Sequence, residues 1–154
     1  MTTGGSLISE KAQALLGQVL SRGRREIEKG AIRIYADALM SQNPLWSDEA
    51  YAKQTRYGGI ICPPTFLGGP GTIYTEFNID VPDLPRNRLN AGQDWELLKP
   101  VRPDDVLTFE TVLKELYQRD GRVGSMVIAV RETTWKNQNG EVVAITRNTG
   151  ISRP

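Results

Sequence analysis

The sequence predicts an α+β domain in which helices come first and an antiparallel meander comes last. Near the start, Ile32, Tyr35, Ala36, Leu39 and Met40 recur at i, i+3, i+4, i+7 and i+8, the spacing of one apolar helix face, while Arg33 and Asp37 occupy the other side. From Val106 onward the period changes to alternation. Asp120-Gly121 and Asn139-Gly140 then punctuate the alternating runs, and both dipeptides tolerate the positive φ of tight hairpin turns.

The elements follow in order. Ile8, Ala12, Leu15, Leu16, Val19 and Leu20 line one face of a first helix that Ser21-Arg22-Gly23 would end, so residues 1–24 read as a helical leader and 25–154 as the domain. Arg25-Glu26-Ile27-Glu28 reads as a short edge strand. The second helix must stop at Asn43-Pro44, because proline disfavours the α region in the residue before it. Ser47 or Asp48 can cap a short helix through Tyr51 and Ala52, which Gly58-Gly59 breaks. Ile60-Ile61-Cys62 is a compact apolar run. Pro64 suits the first position of another helix through Thr65, Phe66 and Leu67, interrupted by Gly68-Gly69-Pro70-Gly71. A long loop with Pro82, Pro85 and Asn87 leads to Gly92. Strands are expected at Trp95–Leu98, Val106–Leu116, Val123–Trp135 and Val142–Asn148, about four in all.

Composition narrows the function classes. The 154 residues fit one domain with a core of its own. Nineteen basic against eighteen acidic residues, net +1, give no bias toward polyanions, so nucleic acid is not an expected partner. With one cysteine, Cys62, and no histidine, neither an internal disulfide nor a Cys/His metal site can be built. A reducing, cytoplasmic setting is expected, and no run approaches the roughly 18 apolar residues of a membrane span.

Five segments carry a family resemblance. Met40-Ser41-Gln42-Asn43-Pro44-Leu45-Trp46 resembles the signature of the MaoC-like (R)-specific enoyl-CoA hydratases, in which Gly-Asp, a spacer and Asn-Pro precede an aliphatic residue and a catalytic His. The run from Tyr51 through Gly58-Gly59 to Pro63-Pro64-Thr65-Phe66 is similar to the segment that follows. Ala91–Glu96, Lys99–Asp105 and Asn139–Val143 resemble the strand-leading motifs of the FAS1-type dehydratase branch. The resemblance implies a single hotdog fold, a curved antiparallel sheet wrapped around a central helix that would start at Pro64, dimerising through a continuous sheet. It also implies acyl-CoA or acyl carrier protein thioesters as substrates, with no cofactor and no metal.

The chemistry has a gap. Hydration of an enoyl thioester needs a base for water, an acid for the α-carbon and donors for the thioester oxygen. In the family's pattern Asp and His share the water; here Ser41 and Trp46 stand at those positions. Ser41 is no base near neutral pH, and Trp46 has one N–H donor and no acceptor. Candidate substrate-binding residues are Asn43, Trp46, Arg56, Pro64, Thr65, Phe66 and Gly68. Against these readings stand plainer ones: Asn43 shapes a turn, Trp46 packs, and the glycines make turns. Arg56, Lys99, Arg102 and Arg122 are available for phosphates. Asp48 and Glu49, adjacent carboxylates, are the alternative acid/base groups of a hotdog thioesterase, or else favour a helix N-terminus. Cys62 reads as a small buried hydrophobe.

The leading expectation is the substrate-binding, non-catalytic half of a heteromeric hydratase whose partner, a second hotdog chain, carries Asp and His. The alternatives are a homodimeric thioesterase or lyase using Asp48 or Glu49, and a non-enzymatic acyl-CoA binder.

Overall fold

The computed structural model describes residues 6–69 and 71–154; the first five residues of the expected leader and Pro70 of the glycine-rich break lie outside them. In chain order the elements are α1 (Glu10–Gln13), β1 (Val19–Glu26), α2 (Lys29–Ala38), α3 (Glu49–Gln54), β2 (Ile73–Asn78), β3 (Asn87–Leu97), β4 (Val106–Gly121), β5 (Gly124–Lys136) and β6 (Val142–Arg153). Two 3-10 turns, Pro44–Trp46 and Phe66–Gly68, join them. All the strands belong to one antiparallel sheet in the order β2-β1-β4-β5-β6-β3. The α+β order is as expected.

The meander is longer than its apolar pattern. β4 and β5 pair from Thr108↔Lys136 to Gly121↔Gly124, so the turn is Arg122-Val123, two residues beyond Asp120. The β5 to β6 turn does fall at Asn139-Gly140, where Gly140 has φ 77° and Asn137 Oδ1 accepts from the N–H of Asn139 and of Glu141, both at 3.0 Å.

Five expectations need correction. The first helix is only Glu10–Gln13, capped by Ser9, and the expected helix face from Val19 onward is strand β1. Position 24/25 therefore falls inside β1, and Ala12 is wholly buried in a cluster with Leu20, Leu113 and Val127. Instead of a short edge strand at 25–28, β1 lies between β2 and β4. Gly23 ends no helix: a Cβ there would lie 2.8 Å from the Phe109 ring and overlap the Tyr74 carbonyl, so glycine lets three strands close up. The long loop contains β2, and β3 starts well before Trp95. Lastly, the central helix expected from Pro64 is reduced to the 3-10 turn Phe66–Gly68.

The larger core forms over the sheet. Ile32 of α2, Ala52 of α3 and Phe66 and Leu67 of the 3-10 turn pack with Leu107 and Phe109 of β4, Trp135 of β5, and Val143 and Ala144 of β6. Together α2 and Phe66 cover what a longer helix would. Strands β2 and β3 each have a neighbour on one side only, and nearly every residue of both is exposed.

Candidate functional site

The end of α2 sets the site. Met40 takes the left-handed conformation, φ 52°, that glycine adopts at many helix ends, and the Ser41 N–H returns to the Ala36 carbonyl at 3.0 Å. Asn43 Oδ1 then accepts from the Leu45 N–H at 3.0 Å and caps the turn that carries Trp46. That turn swings the indole back, and Trp46 Nε1–H donates to Ser41 Oγ at 3.1 Å. The pair is neutral. The hydroxyl oxygen accepts the indole N–H, which has no acceptor to offer in return, and the bond involves neither carboxylate nor imidazole.

The two carboxylates just beyond sit elsewhere in the local architecture. Asp48 Oδ1 accepts from the Tyr51 N–H at 3.0 Å as the cap of α3. Glu49 is exposed and paired with Lys29, whose hydrogen bond holds the carboxyl below the usual range.

A cleft of about 380 Å³ opens beside the indole. Leu45, Trp46, Ile61, Pro64, Leu67 and Leu98 give it an apolar wall, while Arg56, Tyr57 and Lys99 supply the polar part. Arg56 donates to Tyr57 Oη at 2.7 Å and stacks over its ring, and Lys99 pairs with Glu141. Arg102 is turned to the Tyr57 carbonyl at 2.5 Å, and Arg122 lies in the β4 to β5 turn. Cys62 also lines the cleft, and burial pushes its thiol up to about 12. At pH 8 the thiol therefore stays protonated, and labelling by a disulfide reagent should be slow in the folded chain and fast in denaturant. Comparable rates in both states would show that the cleft leaves Cys62 open.

Of the candidate substrate-binding residues, Trp46, Arg56 and Pro64 meet in this cleft, which Lys99 and Cys62 also line. Thr65 instead bonds through Oγ1 to Tyr35 Oη at 2.8 Å, and Phe66 is buried edge-on against Tyr35. Gly68 makes room for Trp95, whose ring a Cβ would meet at 3.0 Å. Asn43 remains with the turn. Among the described residues, no group of three or more Cys, Asp or Glu could hold a metal ion.

One residue of consequence has almost no sequence signal. Arg25 is fully buried, and its guanidinium donates to the carbonyls of Leu67 at 2.6 Å, Phe66 at 3.3 Å and Gly69 at 3.3 Å while lying 4.7 Å from the Phe66 ring centre. Desolvation lowers its pKa from the ordinary arginine value. It fixes the short turn, and so Leu67, against the cleft. The only hint in the sequence is its position between Gly23 and Ile27 on the inward side of β1.

The family model described as "FAS1-like, dehydratase domain region" matches residues 14–146. The chain belongs to that family. A UPF0336 protein of Thermobifida fusca is 30% identical over 96 residues, 59% of this chain and 62% of the relative, so the match spans less than two thirds of the relative's length. The FAS1-like domain also shares its fold with a MaoC-like dehydratase from Rhodospirillum rubrum, at TM-score 0.65 and 22% identity over 90% of this chain and 94% of that one. A C-terminally truncated HadBC (3R-hydroxyacyl-ACP dehydratase) complex from Mycobacterium tuberculosis superposes at TM-score 0.72 and 17% identity, over 90% and 97% of the two chains. The fold is thus the single hotdog that the motifs implied. No helix among the described residues is long and apolar enough to cross a membrane.

Proposed function

We propose that this chain is the substrate-binding, non-catalytic subunit of a heteromeric MaoC-like hydratase or dehydratase acting on acyl thioesters in the cytoplasm. The observation that carries the reading is the Ser41–Trp46 hydrogen bond. Where the family's pattern puts an acid and a base, this chain has a closed neutral pair. A water between them would find no group able to take or return its proton at neutral pH. The frame around the pair is intact, with the capped turn, the short α3 and an apolar cleft flanked by two cations.

A second hotdog chain with Asp and His would supply the proton transfers, and the edge of β3, hydrogen-bonded on one side only, is available to continue the sheet. The HadBC complex offers a precedent in which two such chains are combined. Proton transfer needs no cofactor. The thioesterase alternative draws no support from the geometry, because Asp48 caps a helix, Glu49 is paired with Lys29, and neither lines the cleft.

The isolated full chain should hydrate crotonyl-CoA no faster than buffer, and mixing with a hotdog chain that has an intact Asp/His pair should give an active complex. Robust hydration by the isolated chain would overturn the proposal. So would failure to associate with any such partner.

A further inference from the structure

Two clefts meet at one side chain. The apolar cleft of about 380 Å³ has Trp46 in its wall, and so does a second cleft of about 310 Å³ formed by Lys29, Gly30, Arg33, Ser47 and Ile60. Trp46 lines both, and the adjacent residues divide, Ile60 lining the second cleft and Ile61 the first. The indole is held in place from three directions. Its N–H is tied to Ser41, its turn is capped by Asn43, and it packs against the main core beside Leu45.

We infer that Trp46 is a specificity-determining wall, which limits the acyl group admitted by the apolar cleft to short chains. This rests on the reading of the cleft as a thioester site. A longer chain would have to continue into the space beyond the indole, along Ile60 and the aliphatic stems of Lys29 and Arg33. Those stems can line an apolar path while their charged ends stay in water. Each methylene buried along that path adds to affinity, so the wall discriminates by length without any polar contact to the acyl group.

The test compares binding of butyryl-CoA and dodecanoyl-CoA to the full chain by calorimetry, with free CoA as the measure of what the nucleotide end contributes. Wild type should bind butyryl-CoA more tightly than dodecanoyl-CoA, and the reverse preference would overturn the wall. Trp46→Gly should bind dodecanoyl-CoA on the order of tenfold or more tighter than wild type does, with free CoA unchanged. Trp46→Val, which keeps an apolar side chain in the turn but removes most of the wall, carries the same test if the glycine variant does not fold. An unchanged length preference in folded variants overturns the wall alone. If neither wild type nor the variants bind any acyl-CoA beyond free CoA, the thioester reading falls and the wall falls with it.

Discussion

Replacing Arg25 with alanine is expected to destabilise the domain by about 3–5 kcal/mol, measured as a shift in the urea midpoint at constant slope. The buried guanidinium donates to the carbonyls of Phe66, Leu67 and Gly69; the Phe66 carbonyl keeps the Gly69 N–H at 2.8 Å, but a buried carbonyl left without a donor, as at Leu67, costs on the order of 1–3 kcal/mol. The stacking on Phe66 is lost as well. Arg25→Lys keeps the charge but has a single ammonium in place of the planar fork, so it should recover only part of the loss. A loss below about 1 kcal/mol in the alanine variant would mean that other groups can hold the turn. The reason for so large an effect is local: the turn's own backbone bonds serve the Pro63, Thr65 and Phe66 carbonyls, whereas those of Leu67 and Gly69 are held by Arg25.

The second large effect is a gain. Ser41→Asp combined with Trp46→His should raise crotonyl-CoA hydration by the isolated chain on the order of 10²–10⁴-fold, the usual contribution of positioned acid/base groups. The two side chains already meet at 3.1 Å across a turn fixed by Asn43, so the new carboxylate and imidazole start within reach of a shared water. Each single substitution should give little, because one group alone can only take or only deliver the proton. The gain should follow a bell-shaped pH profile, with one limb from each group. A folded double variant with no gain would show that the cleft and the dyad positions are out of register.

The meander and the second helix were legible because their burial follows a simple period: Leu107, Phe109 and Leu113 alternate inward, and Ile32 and Ala36 share a face. The family segment was legible from Asn43-Pro44 and Pro63-Pro64, since a chain that must leave a helix there can do little else. β2 was hidden, and β1 and β3 were legible only at their C-terminal ends, for a different reason. In β1 the inward positions include Gly23 and Arg25, so the core side of the strand carries no apolar alternation. In β2 and β3, at the edges, almost every residue faces solvent, and there is no buried face to impose a pattern. The site divided along the same line. Trp46, Arg56 and Pro64, singled out from their motif, line one cleft, whereas Arg25 was missed because a buried cation bound to main-chain carbonyls has no characteristic spacing.

The strand order has a consequence for how the chain reaches this state. β4, β5 and β6 are joined by short turns and can zip together from local contacts, Gly121↔Gly124 closing the first hairpin. The flanking strands have no such advantage. β1 must find β4 through pairs such as Val19↔Val112, and β3 must find β6 through pairs such as Asn87↔Arg153, across most of the sequence between them. Closing those loops costs entropy before any contact compensates, which places the domain among chains that fold in roughly milliseconds to seconds, with the central hairpins ahead of both borders. The β3–β6 pairs close shorter loops than the β1–β4 pairs, and β2 depends on β1, so the β3 edge is completed before the opposite border of β1 and β2.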